Sequence, residues 1–332
     1  MNSISHHNQK SRLRIVFMGT PGFAVPSLLY LLDAGYHVVA IVTAPDKPAG
    51  RGLQLQSSEI KKVAVERNIP VLQPENLKDA EFEQTYQALQ PDLNIVVAFR
   101  MLPEIIWRYP RFGTFNLHAS LLPQYRGAAP INWAIIHGEK QTGLTTFFID
   151  KEIDTGQIIL QQNIAIGDAE TAGELHDRMM IKGAEMVVKT VDLIENQQIS
   201  LIDQSQIIEK QNIELIPAPK ITKAHCRINW SMSLRQIYNL IRGLSPHPSA
   251  FTMLIDKMGN QNPIKIYRCR IEEFDNPLPP RLIETDNKYY LAIHHPEGRL
   301  IIEELQWPGR KRLKIEEFLR GFTLLTDDWR IE

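Results

Sequence analysis

LRIVFMGTPGFAVPSLLYLLDAGYHVVAIVTA, residues 13 to 44, decides the fold. Its first seven residues form a short apolar run that ends in Gly19. SLLYLLDAG then has helical spacing and stops at Gly35, and HVVAIVTA is a second run of strand length. The order strand, helix, strand predicts a parallel pair joined by a crossover helix. Reading outward, NIPVLQP is another short strand, residues 77 to 90 a polar helix, LNIVVAF a buried strand and FGTFNLHA a further one. Such alternation predicts an α/β, Rossmann-like domain: a mostly parallel sheet covered by helices, with functional loops at the strands' C-terminal ends. The turn GTPGF joins strand to helix but is no dinucleotide fingerprint. Gly19 and Gly22 are three apart, and the second strand ends in Thr43-Ala44 without an acidic residue. A tight turn with weak anion affinity is the expectation there.

Further along, 172 to 196 predicts a long helix, and 198 to 219, ending in IPAPK, a linker. The remainder, 220 to 332, has one helix at 233 to 243 and short strands such as IKIYRCR, KYYLAIHH and LIIEELQWP. It reads as a smaller OB-like β-barrel. The expected domains are therefore a disordered tail at 1 to 12, an α/β domain at 13 to 197, the linker and the barrel. At 332 residues the chain suits two domains, each large enough for its own core. With 43% apolar and 23% charged residues, no stretch approaches the ~20 apolar residues of a membrane span. The polar first twelve residues lack the apolar segment of a signal peptide, so a cytoplasmic location is expected. Cys226 and Cys269 are the only cysteines, with no zinc-like spacing, so neither a disulfide framework nor a metal site is expected. A net charge of −1 argues against coating nucleic acid by bulk charge. Yet residues 220 to 332 have an excess of Lys and Arg while the rest has an excess of Asp and Glu, which is compatible with a module that touches phosphates.

The chemistry concentrates in TFNLHASLLPQYRGAAPIN, 114 to 132, and FFIDKEIDTGQII, 147 to 159. Alternate residues of a strand share a face, so Asn116 and His118 project together while Leu117 packs on the other side. An amide donor and an imidazole suit the oxyanion of acyl transfer, and Asp154, in a Gly-marked turn, is the carboxylate that could reach them. No nucleophile accompanies them: Ser120 lies in no GxSxG elbow and no cysteine is adjacent. Direct transfer to an amine therefore fits better than a covalent acyl-enzyme. The alternative is that His118 caps a turn and Asp154 a strand end. APDKPAGRGLQLQSS, 44 to 58, is long and irregular for a β-α connection, which favours a functional loop carrying Lys47 and Arg51 over an inert basic one.

NLHASLLPQYRGAAPIN followed by IDTG resembles the signature of the folate-dependent formyltransferases. GTPGFAVPSL and PDKPAGRG are similar to the branch of that family acting on methionyl-tRNA, over about Leu13 to Phe322. The smaller glycinamide ribonucleotide formyltransferases share the N-x-H and D-x-G pieces but resemble only the first domain. The resemblance implies that Asn116, His118 and Asp154 are catalytic. Asn116 and protonated His118 would stabilise the oxyanion formed on 10-formyltetrahydrofolate, with Asp154 orienting His118. The acceptor it implies is the α-amino group on initiator methionyl-tRNA, with no metal. Phe99, Arg100, Met101 and Leu102 match a segment lining the pterin pocket, and the stretch Ser120, Leu121, Leu122 and Pro123 is assigned to folate with them. Arg51 matches the loop arginine placed near the aminoacyl end, with Lys47 beside it. In the barrel, Lys220, Lys223, Arg242, Arg310, Lys311 and Arg312 are expected at tRNA phosphates, and a monomer is expected. Gly22 stands where many members carry Asp, and Arg100 where many carry Gly. The guanidinium of Arg100 is expected by the folate pocket, pairing with the donor's glutamate tail or a nearby carboxylate. An amino-sugar-nucleotide formyltransferase would use the same trio on another amine, and a non-catalytic RNA-binding module would not need to keep it.

Overall fold

The apolar runs of the first third become a buried parallel sheet because strands covered on both faces need no polar side chains. The structure, a computed structural model, describes residues 13–49, 54–274, 279–280, 282–323 and 329–332. The expected tail and Arg51 lie outside the described residues. The chain divides into two units: Met1–Arg126, Gly143–Ile164 and His176–Pro217 form the first, and Gly127–Thr142, Ala165–Leu175 and Ala218–Glu332 the second.

In chain order the elements up to the first catalytic candidates are β1 (Arg14–Gly19), α1 (Val25–Asp33), β2 (His37–Val42), β3 (Lys47–Ala49), β4 (Gln54–Gln56), α2 (Glu59–Glu66), β5 (Val71–Leu72), α3 (Ala80–Ala88), β6 (Leu93–Val97), α4 (Glu104–Trp107) and β7 (Thr114–His118). Then come α5 (Pro130–Ile136), β8 (Gln141–Phe148), β9 (Ile158–Ala165), α6 (Ala172–Glu195) and α7 (Gln204–Gln211). The sheet order is β5-β2-β1-β6-β7-β8-β9. The pairs from β5 through β7 are parallel, whereas β8 runs antiparallel to β7. The chain winds outward from β1 to β2 and β5, then returns to place β6 on β1's other side. The order therefore reverses between β1 and β6, the kind of switch point at which α/β sheets bind ligands beyond the strands' C-terminal ends.

Ile15, Val16, Phe17 and Met18 are all fully buried, as are Ile41, Val42, Ile95 and Val97. Each large apolar side chain so removed from water stabilises the fold by about 1.5–3 kcal/mol. Gly19 ends β1 where a Cβ would lie 2.7 Å from Ala24 Cβ and 3.0 Å from the Val97 carbonyl oxygen, so the GTPGF turn is a close-packing device. The loop after β2 is more regular than its composition suggests. Lys47–Ala49 pairs antiparallel with Gln54–Gln56, and Asp46 is bonded by Lys61 and Gln73 at the base of that hairpin. The stretch expected as a linker also carries regular structure: Ile202 bridges Ile158, α7 follows, and residues to Pro217 belong to the first unit.

In the second unit, α8 (Leu234–Leu244) is followed by β10 (Ala250–Asp256), β11 (Gln261–Glu273), β12 (Ile283–Thr285), β13 (Leu291–His295), β14 (Gly298–Gln306), β15 (Leu313–Lys314), α9 (Ile315–Arg320) and β16 (Trp329–Ile331). These strands form one antiparallel sheet ordered β12-β13-β14-β11-β10-β16, with β15 added to β14. Its end strands β12 and β16 approach each other, which nearly closes a barrel. A reciprocal Ser233–Gln236 capping box starts α8, whose apolar face joins Ile264, Ile266, Leu300 and Ile302 in the core. Among the described residues no helix is long and apolar enough to cross a membrane.

Candidate functional site

His118 is the last residue of β7, beside β6, where the register pairs Val96 with Asn116 and Val97 with Leu117. Strand alternation acts as the sequence requires. Leu117 turns to α6, close enough that a Cβ on Gly183 would lie 2.7 Å from its Cδ2, and Asn116 and His118 share the opposite face. The imidazole is 6% exposed. Its Nε2 donates to the Tyr125 carbonyl at 2.9 Å, and its Nδ1 faces Asp154 Oδ2 at 3.7 Å. A carbonyl can only accept, so Nε2 carries a proton and Nδ1 is the nitrogen that faces the site. At 3.7 Å Asp154 is within ion-pair reach but outside hydrogen-bond range, so Nδ1 remains available to a reacting group. Phe147, opposite Asn116 on β8, sets its ring edge-on to the imidazole at 6.5 Å.

The turn that delivers Asp154 is built by its own short polar residues. Asp150 Oδ1 accepts from Glu152 N at 3.1 Å and Thr155 Oγ1 at 2.7 Å. Asp154 adopts the left-handed region at φ 57°, which short polar residues tolerate. Gly156 is obligatory, since a Cβ there would lie 1.7 Å from the Phe148 carbonyl oxygen. Tyr125 is also left-handed, at φ 59°, and this turn is what aims its carbonyl at His118.

Two residues that the sequence reading missed complete this centre. Gln204, buried at the first position of α7, donates from Nε2 to the carbonyls of Asp154 at 3.0 Å and Gly156 at 2.8 Å. Its Oε1 accepts from Arg126 Nε at 3.1 Å and Nη2 at 2.7 Å. Burial pushes the Arg126 guanidinium below the usual arginine range, and the carboxylates of Asp154, Asp150 and Glu152 oppose that shift. Arg126 lies inside the YRGAAP motif, whose pattern gives it no role, whereas a glutamine in a polar segment carries no sequence signal.

The donor candidates are placed unequally. Phe99, Arg100 and Met101 follow β6 at the same strand ends as His118, and Met101 is 70% exposed. Leu102 belongs to the apolar core between sheet and helices. Ser120 is fully buried and donates to the Gln124 carbonyl at 2.6 Å, while Leu122 packs with Phe147 and Ile158. Pro123 is buried and Leu121 half-buried against Gly143. Arg100 pairs with no neighbouring carboxylate among the described residues: its guanidinium donates to the main-chain carbonyls of Pro74 and Glu75 and lies over the Phe99 ring.

Of the tRNA candidates, Lys47, Lys220, Lys223, Arg310, Lys311 and Arg312 are exposed, with Arg312 paired to Glu304, and Arg51 lies outside the described residues. Arg242 corrects the expectation. It is 7% exposed, its Nε donates to Asn239 Oδ1 at 2.9 Å, and its Nη1 reaches the carbonyls of Gly167 and Glu170. A guanidinium so committed braces the second unit and is withdrawn from phosphate. Among the described residues no group of three or more His, Cys, Asp or Glu could hold a metal ion.

Comparison with known proteins places this geometry in a family. Residues 13–191 match the model described as formyl transferase, and 220–323 the formyl transferase C-terminal domain. The chain is 50% identical over 316 residues to a methionyl-tRNA formyltransferase of Bacteroides thetaiotaomicron, covering 95% of this chain and 98% of the relative. It is 48% identical over 313 residues to one of Flavobacterium johnsoniae, covering 94% and 97%. Among solved structures, the sugar 3N-formyl transferase WlaRD shares the fold with a TM-score of 0.61 at 21% identity, over 91% of this chain and 100% of that one. The near-full-length identity to these relatives, together with the two family models, assigns the chain to the methionyl-tRNA formyltransferase family of formyl transferases.

Proposed function

We propose that the protein transfers the formyl group of 10-formyltetrahydrofolate to the α-amino group of methionine on initiator methionyl-tRNA, with Asn116, His118 and Asp154 as the catalytic residues. The observation that carries this reading is the imidazole of His118, fixed through Nε2 by the Tyr125 carbonyl and turned through Nδ1 toward Asp154. The amine attacks the formyl carbon, and negative charge develops on the formyl oxygen. The Asn116 amide and a proton on His118 Nδ1 donate to that oxygen. Such donors are commonly worth about 10²–10³ in rate each. Asp154 balances the imidazolium and takes the proton that the attacking amine loses. The oxyanion then collapses to the carbonyl, the bond to N10 breaks, N10 takes the proton held by Asp154, and tetrahydrofolate and formylmethionyl-tRNA leave. No covalent enzyme intermediate is needed.

Phe99, Arg100 and Met101 follow β6 at the same strand ends as His118 and are the residues we assign to the donor's ring, where an aromatic and an apolar side chain with main-chain groups would suit a flat heterocycle. Leu102, Ser120, Leu121, Leu122 and Pro123 are assigned to the donor with them. Lys47, Arg51 and the exposed barrel residues Lys220, Lys223, Arg310, Lys311 and Arg312 are assigned to the tRNA. The α/β domain at 13–197 would carry the chemistry and the barrel at 220–332 the tRNA contacts. We take the enzyme as a cytoplasmic monomer, because one chain supplies the catalytic, donor and tRNA residues.

The test is formyl transfer from 10-formyltetrahydrofolate to charged initiator tRNA, run beside free methionine, uncharged tRNA and an amino-sugar nucleotide. Transfer to the charged tRNA alone supports the reading. Transfer to the sugar nucleotide alone would keep the trio and overturn the acceptor, and no transfer to any acceptor would favour a binding module.

A further inference from the structure

The segment before the second unit's main body reads in sequence as a connection, yet one of its side chains ties together the two loops that hold His118. The first loop, 120 to 126, offers the Tyr125 carbonyl to Nε2; the second, 150 to 156, offers Asp154 to Nδ1. Gln204 stands between them. Its amide oxygen takes two hydrogen bonds from Arg126, the residue after Tyr125, and its amide nitrogen gives two to the carbonyls of Asp154 and Gly156. The two ends cannot be exchanged, because guanidinium groups only donate and carbonyls only accept. The side chain is 1% exposed and its hydrogen-bonding capacity is filled. Its backbone is docked from both sides. Ile202 exchanges main-chain bonds with Ile158 at 2.9 and 3.0 Å, and Ile216 accepts from Tyr125 N at 2.8 Å.

We infer that Gln204 is a positioning residue for formyl transfer: it fixes the gap between His118 Nδ1 and Asp154 by clamping the left-handed turn at Asp154 to the arm that bears Tyr125 and Arg126. Both anchoring residues, Tyr125 and Asp154, hold positive φ, a conformation that persists only where the surrounding structure enforces it. Gln204 supplies that constraint to Asp154 directly and to Tyr125 through its neighbour. It lies behind the loops and acts through the pair, without touching substrate. A shift of about 1 Å in a reacting group costs on the order of 10²-fold in rate, which sets the size of the expected effect.

This inference rests on the proposed roles of His118 and Asp154, and the experiment separates the two. Full-length Gln204→Leu, Gln204→Glu, Asp154→Asn and the double variant Gln204→Leu/Asp154→Asn are compared by kcat and by KM for donor and charged tRNA. Gln204→Glu keeps an oxygen for Arg126, with a charge that the guanidinium can pair, and removes the two donations, so it answers the question even where Gln204→Leu folds poorly. Each Gln204 variant is expected to lose about 10- to 100-fold in kcat with both KM values within about twofold. In the Asp154→Asn background, Gln204→Leu is expected to cost nothing further. A purely structural glutamine would lower the double variant as much as the single one, and such additivity would overturn the inference, as would a loss confined to KM or a Gln204→Glu enzyme with normal kcat. An Asp154→Asn enzyme of normal rate would overturn the underlying assignment and the inference with it.

Discussion

Arg126 in the first unit and Arg242 in the second are the same residue under the same constraint, with opposite outcomes. Burial pushes both guanidinium groups below the usual arginine range, and both make several hydrogen bonds inside their own unit. Arg242 ends on Asn239 and on the carbonyls of Gly167 and Glu170, so its charge closes a structural joint. Arg126 ends on one glutamine that passes the connection to Asp154, and the carboxylates of Asp150, Glu152 and Asp154 face it. Membership in a motif does not say where a charge is used. The partners do, and they place one arginine behind the chemistry and the other within the framework.

The pair can be pulled apart by experiment. Arg126→Met is expected to slow single-turnover formyl transfer by about 10- to 100-fold, equivalent to ~1.4–2.7 kcal/mol of transition-state stabilisation, while tRNA binding stays within a few-fold. Normal turnover with a large loss of Tm would make Arg126 a second strut and erase the contrast. Arg242→Met removes three hydrogen bonds and is expected to cost about 3 kcal/mol of stability, read as a Tm lower by roughly 6–12 °C, with the rate per folded molecule retained. Were the salt dependence of tRNA binding to fall instead, the sequence expectation for Arg242 would return.

Replacing exposed Arg310 and Lys311 with Ala probes charges of the other kind. The slope of log affinity against log salt is expected to flatten by roughly 1 for each phosphate no longer neutralised, with unchanged Tm. An unaltered slope would remove both residues from the tRNA surface. The smallest effect concerns Glu284. Hydrogen bonds from His294, Tyr290 and Arg299 hold its carboxyl down to about 2. A folded value below the unfolded ~4.3 means that its stabilising contribution is present above about pH 4 and is lost as pH falls through about 2. The Tm difference between wild type and Glu284→Gln should therefore shrink across that window, and a pH-independent difference would contradict the assignment.

Much of this was legible in sequence where the physics is local. LRIVFMG and LNIVVAF are apolar apart from Arg14 and Asn94 because their strands are covered on both faces, and that pattern needs no knowledge of the partner strand. Asn116 and His118 were readable as a pair because strand alternation is fixed by backbone geometry. What could not be read depends on distant partners. Gln204 reaches Asp154 across fifty positions and sits in a polar segment with no periodic signal. The antiparallel β8, β10 and the short strands β12, β15 and β16 owe their pairing to neighbours their own residues do not specify. The left-handed turns at Tyr125 and Asp154 fall on residues other than glycine, where sequence gives little warning. Arg242 was misplaced because its surrounding stretch resembles the family, whereas its buried guanidinium is visible only in three dimensions.

The most direct test of the central claim is single-turnover formyl transfer by His118→Ala, with donor and charged-tRNA affinities measured on the same preparation. The account predicts a loss of about 10³-fold or more in the transfer step, with both affinities within a few-fold of wild type. A near-normal transfer rate, or a loss explained wholly by failed folding or failed tRNA binding, would contradict it.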